Sequence, residues 1–179
     1  MNARIAALIA GALVLVLDVV TKQWVTDTYP LYSTRELLGD GLRLTHIHNA
    51  GAAFGLFQGS RWPLVSISVI AVLAVSYLLF TRARRHSVAL PLGLILGGAL
   101  GNLIDRIRLG RVVDFLDIGY GDWRWPVFNV ADAAVTVAVI WLAVVLVFGE
   151  GKKRGDLESS SDGRGGGDAP GPPPAATPS

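Results

Sequence analysis

The chain contains no cysteine in 179 residues. That excludes disulfides, thiolate nucleophiles, cysteine-based zinc sites and iron–sulfur clusters together, and it leaves no cysteine on the chain to carry a lipid. Charge is scarce as well: Asp, Glu, Lys and Arg make up 17% of the residues, with a formal net charge of only +2. So small an excess is no nucleic-acid signature, and no nucleic-acid partner is expected. Apolar residues fill the space, at 51% of the chain. A mean hydropathy of +0.47 is too high for a soluble domain of ordinary composition.

Four apolar stretches are long enough to cross a bilayer, at about Ile5–Thr21, Leu64–Phe80, Val88–Ile104 and Val127–Phe148. The first resembles a signal peptide core, but no small-x-small cleavage pattern follows it. Asp18 and Lys22 come instead, so it reads as a retained helix. The expected fold is an all-α integral membrane bundle of four transmembrane helices.

The connections differ in character. Arg82, Arg84 and Arg85 form a tight basic turn, and they share a side with Arg4 and with Lys152, Lys153 and Arg154. The compact arginine turn marks that side as cytoplasmic. The other side carries Trp24, Tyr29, Tyr32, Trp62, Tyr120, Trp123 and Trp125, the composition of an interfacial belt. Within it, Leu42–His48 alternates as a strand does, and Asn49-Ala50-Gly51-Ala52-Ala53-Phe54-Gly55 supplies a tight turn. A small β platform with its loop, at about residues 24–61, is therefore expected on the outer face. From about Gly149 the chain is rich in Gly, Ser and Pro without periodicity. The division expected is a membrane domain at 1–149 and a disordered cytoplasmic tail at 150–179.

Carboxylates inside apolar helices are costly and are retained chiefly for function or for pairing. Asp132 opens the fourth stretch in such a position, with Asn129 three residues earlier on the same face and Pro126 suited to the first helical turn. Upstream, Asp114 and Asp117 are both candidate partners, and periodicity does not choose between them. Ion pairing of Asp132 with Arg106 or Arg111 is the structural alternative. Asp18 and Lys22 stand four apart, as an interfacial ion pair would. Asn102, Asp105 and Arg106 share a polar face at the end of the third stretch, beyond Gly93, Gly97 and Gly101, which clear one face for helix contact. The planar fork of Arg106 suits a substrate carbonyl or head group. His46 and His48 fall on one face of the expected strand without an organised set of further metal ligands.

These strings together resemble the prolipoprotein signal peptidases, or signal peptidase II. They are Asp18-Val-Val-Thr-Lys22, Asn49 to Gly55, Gly97 to Arg106, Val112-Val-Asp-Phe115 and Phe128-Asn-Val-Ala-Asp132, in order over roughly residues 14–140. The resemblance implies a membrane aspartic endopeptidase that cleaves diacylglyceryl-modified prolipoproteins just before the lipidated cysteine. It places the catalytic aspartates on Asp114 and Asp132, and substrate-binding or supporting roles on Asp18, Lys22, Asn49, Asn102, Asp105, Arg106 and Asn129. It implies no metal or organic cofactor. It also implies a multi-pass protein of the bacterial inner membrane, with both termini cytoplasmic and the active site near the outer leaflet. Membrane lipid and a globomycin-type peptide inhibitor are the further partners it suggests. The competing class is a small proton-coupled transporter or channel using the same carboxylates, which needs a polar path across the membrane. A membrane adaptor with purely structural ion pairs is a third reading.

Overall fold

Close approach of two helices organises the bundle. Helix α1 (Ala3–Thr28) and helix α3 (His86–Leu109) meet along a stripe of small residues. A Cβ added to Gly93 would strike the backbone of Ala7, and one added to Gly97 would strike that of Gly11. In lipid, where apolar side chains gain nothing by leaving water, such backbone contact is what holds helices together. The glycine stripe thus does the packing expected of it. Gly98, on a neighbouring face of α3, admits Ala131 and Val135 of α4 in the same way.

The computed structural model describes residues 1–51 and 61–162, with side chains up to Phe148. The remaining helices are α2 (Arg61–Thr81) and α4 (Val130–Asp162). All four are long and apolar enough to cross a membrane, α4 through Val130–Phe148. They run further than hydropathy alone suggests, since α1 continues past Thr21 and α3 past Ile104 into polar residues that become the site. The chain divides into units Met1–Ala143 and Val144–Ser179. Among described residues the second holds only the end of α4, which extends to Asp162 where an irregular tail is expected. Glu150, Lys152, Lys153 and Arg154 are good helix formers following an established helix. Residues 163–179 of that tail, and 52–55 of the expected small-residue turn, lie outside the described residues.

A four-stranded antiparallel sheet, in the order β1-β2-β3-β4, joins the bundle. Its strands are β1 (Thr34–Leu38), β2 (Leu42–Asn49), β3 (Val112–Tyr120) and β4 (Trp123–Arg124). The expected strand at 42–48 is β2. The platform is not confined to residues 24–61, however. Residues 24–28 belong to α1, and half of the strands come from the connection between α3 and α4. Gly110, with φ 74°, ends α3 in a left-handed cap and turns the chain directly into β3. β3 is rich in β-branched and aromatic residues and is buried from Val112 to Phe115. It pairs with β2 across Ile47–Asp114 and Asn49–Val112. Val25, Leu44 and Phe115 form a buried cluster between α1 and the sheet, and Ala3, Ala7, Leu79, Ala83, Ala89 and Leu92 form another at the opposite end of the bundle.

Candidate active site

The site forms where β3, α4, α1 and the end of α3 converge. Helix α4 begins at Val130, so Pro126 is not in its first turn. The chain is held extended up to Phe128, whose backbone N–H and C=O both bond to β3 at Leu116. Asn129 is then the helix cap. The Asp132 backbone N–H donates to Asn129 Oδ1 at 2.9 Å, and the Asn129 N–H donates back to Asp132 Oδ2 at 3.4 Å. This is a reciprocal capping box, and it fixes the Asp132 carboxylate in the first turn of α4.

Asp114 reaches the same place from the sheet. The two-residue period of a strand sends Asp114 and Asp117 to opposite faces. Asp117 accepts from Arg124 Nε at 2.6 Å and from Thr45 at 2.8 Å, a pairing within the sheet. Asp114, 1% exposed, accepts from Asn129 Nδ2 at 2.7 Å on one oxygen and from Asn49 Nδ2 at 3.0 Å on the other. Burial, and next the charge of Asp132, push its pKa up to about 7 against the pull of these hydrogen bonds.

Behind the two aspartates lies a buried ionic cluster. Lys22 Nζ stands 2.7 Å from Asp18, 3.0 Å from Asp105 and 2.9 Å from Asn102 Oδ1. Asn102 Nδ2 donates to Asp132 Oδ1 at 2.8 Å. Asp18 also accepts from the Ala131 backbone N–H at 2.9 Å, tying α1 to the start of α4. Asp105 accepts from the Val113 N–H at 3.2 Å, tying α3 to β3. The pair Asp18–Lys22 is therefore an ion pair, as its spacing suggests, but a buried one that reaches Asp132 through a single amide.

Asp114 and Asp132 line a cavity of about 240 Å³ together with Asn49, Asn102, Arg106 and Phe128. Among the described residues neither aspartate forms a direct ion pair, with Arg106, Arg111 or any other cation, although Arg106 lines the same cavity and its charge acts on both carboxylates. Gly51, Val112, Trp125, Pro126 and Val127 complete the lining. Apolar or small, none has an ionisable side chain that would mark it in the sequence as a site residue. His46 and His48 share a face of β2 with ring centroids 5.3 Å apart, and His46 Nδ1 meets the Tyr29 carbonyl at 2.8 Å. They stand apart from the cavity lining.

Residues 10–148 match the family model described as signal peptidase (SPase) II. The chain belongs to the signal peptidase II family. The lipoprotein signal peptidase of Syntrophus aciditrophicus is 40% identical over 148 residues, covering 78% of this chain and 91% of that one. That of Symbiobacterium thermophilum is 42% identical over 144 residues, covering 79% and 95%. A solved bacterial membrane enzyme superposes with a TM-score of 0.77 at 31% identity, over 82% of this chain and 90% of that one. Like other members of the signal peptidase II family, the chain is a multi-pass membrane peptidase. Of the residues to which the resemblance assigns a role, Asn49, Asn102, Arg106, Asp114 and Asp132 line the cavity. Asn129 bridges the two aspartates, and Asp18, Lys22 and Asp105 lie behind.

Proposed function

We propose that this signal peptidase II cleaves diacylglyceryl-modified prolipoproteins before the lipidated cysteine, with Asp114 and Asp132 as the catalytic pair. One observation carries the reading. Two carboxylates 18 residues apart in sequence are held by the same asparagine and face one cavity, and among the described residues neither is in a direct ion pair. Close like charges oppose double ionisation, so the pair shares one proton. The ionised member takes a proton from water as the water oxygen bonds to the scissile carbonyl carbon. The protonated member donates to the carbonyl oxygen. Collapse of the tetrahedral intermediate then breaks the C–N bond: the leaving amine takes up the proton removed from water, and the proton given to the carbonyl oxygen returns to the aspartate that supplied it. Arg106 and Asn49 hold the substrate backbone in the cavity, while Asn102 and Asn129 orient the pair.

The site is assigned to the outer leaflet of the inner membrane, with both termini cytoplasmic. Support comes from the opposite ends of the bundle. Arg4 Nε donates to the Ala83 carbonyl at 3.4 Å within the arginine turn, whereas Trp62, Tyr120, Trp123 and Trp125 are exposed at the site's end. The signal peptide helix lies alongside the bundle while the acyl chains remain in lipid, and the sheet forms the outer platform. A globomycin-type peptide occupies the same cavity in competition with substrate. Transport through the bundle is disfavoured, because the described core at the far end consists of Ala3, Ala7, Leu79, Ala83, Ala89 and Leu92 and offers no polar path.

Cleavage of a diacylglyceryl prolipoprotein by the purified full chain tests the proposal. Asp114→Asn and Asp132→Asn each remain folded in membranes and lose at least about 10²-fold in kcat. Substantial turnover by either variant overturns the pair.

A further inference from the structure

The side chain of Lys22 is 4% exposed, and its three N–H groups have three acceptors: Asp18 Oδ2 at 2.7 Å, Asn102 Oδ1 at 2.9 Å and Asp105 Oδ2 at 3.0 Å. An ammonium only donates. The atom of Asn102 that faces it must therefore be the oxygen, which turns Nδ2 towards Asp132 Oδ1 at 2.8 Å. A flipped amide would set NH₂ against the ammonium and oxygen against the carboxylate. Asn129 is fixed by the same logic, since its Oδ1 faces the Asp132 backbone N–H, another obligate donor.

We infer that Lys22 is a positioning residue for the reaction, acting through Asn102, whose amide it holds with the N–H directed at Asp132. The inference rests on the Asp114–Asp132 pair proposed above. Among the described residues, the charged groups on this side of the pair are Lys22 from α1, with Asp18 and Asp105 against it, and Arg106 from α3. The formal charges of Lys22 and Arg106 cancel those of Asp18 and Asp105, so the cluster does not favour an anion nearby through net charge. Its favourable contribution is directional. An oriented N–H stabilises the anionic state of the pair and is already in place before the water is deprotonated.

The test is a double-mutant cycle with Lys22→Met, Asn102→Leu and the double variant, read as kcat, KM and the pH profile of kcat/KM on a diacylglyceryl prolipoprotein. Each single variant lowers kcat roughly tenfold to a hundredfold with KM little changed, as loss of a hydrogen bond to a charged group does. The acid limb of the profile moves up by about one pH unit, because the anion has lost a donor. Lys22→Met adds little to Asn102→Leu, since its action passes through that amide. Lys22→Arg, which still only donates, restores most of kcat. Additive losses overturn the inference, as does a folded Lys22→Met enzyme with the parental kcat and acid limb. Should Lys22→Met fail to fold, Asn102→Leu decides alone, and an unmoved acid limb there overturns it. Turnover by Asp132→Asn would instead remove the underlying pair. An inactive Asp132→Asn with additive Lys22 and Asn102 effects removes only the positioning role.

Discussion

Asn129 and Asp132 cap one another at the start of α4, through hydrogen bonds of 2.9 and 3.4 Å. The free end of the same asparagine donates to Asp114 at 2.7 Å. One amide thus couples helix initiation to the spacing of the two carboxylates. Asn129→Ala should therefore cost both stability and activity. The lost cap is worth about 0.5–2 kcal/mol, measurable by thermal unfolding in detergent, while kcat falls more than about tenfold through the disordered pair. Full activity in a destabilised Asn129→Ala protein would separate the cap from the site.

Asp117 separates the two candidate partners. It is 5% exposed but is committed to Arg124 and Thr45 within the sheet. Asp117→Asn should keep most of the proteolytic activity while losing about 1–3 kcal/mol of stability. An inactive but fully folded Asp117→Asn enzyme would show that Asp114 is the wrong partner.

The pH dependence follows from Asp114. Its carboxyl is pushed from 3.8 up to about 7, so folding favours its protonated form. The sign is fixed by linkage: this contribution to stability is complete below the ordinary carboxylate range and is lost as pH rises through about 7. For catalysis, the shared proton leaves over the same interval, and kcat should decline on the alkaline side of neutrality. The hydrogen bond from Asn49 holds the value down. Asn49→Ala should therefore move the alkaline limb to higher pH, and a limb displaced downward would contradict the assignment.

The glycines of α3 should divide by consequence. A Cβ at Gly93 meets the immovable backbone of Ala7, so Gly93→Ala should cost about 1–3 kcal/mol by forcing α1 and α3 apart. A Cβ at Gly101 meets the Asp18 carboxylate, whose Cγ would lie 3.1 Å away. Displacing Asp18 loosens both Lys22 and the Ala131 N–H. Gly101→Ala should then lower kcat roughly tenfold or more at a smaller cost in unfolding temperature. Equal effects of the two substitutions on kcat would argue against a separate task for Gly101.

Length, hydropathy and period along the chain marked out the four spans, the strand at 42–48, the glycine stripe and most of the polar residues that line the cavity or stand behind it. Hydrophobic length and period are local properties, and an isolated carboxylate in an apolar run is conspicuous wherever it lies. Residue spacing left Asp114 and Asp117 equivalent, and only resemblance to a family favoured the first. The choice depends on which face of β3 meets the bundle, and that is set by pairing with β2, more than sixty residues away. The second half of the sheet escaped notice for the same reason, as did the role of Gly101 in seating Asp18. Pro126 misled because helix propensity competes there with the backbone bonds that Phe128 makes to Leu116. Tertiary structure decided how these residues meet, because hydrogen bonds between distant segments leave no periodic trace along the chain.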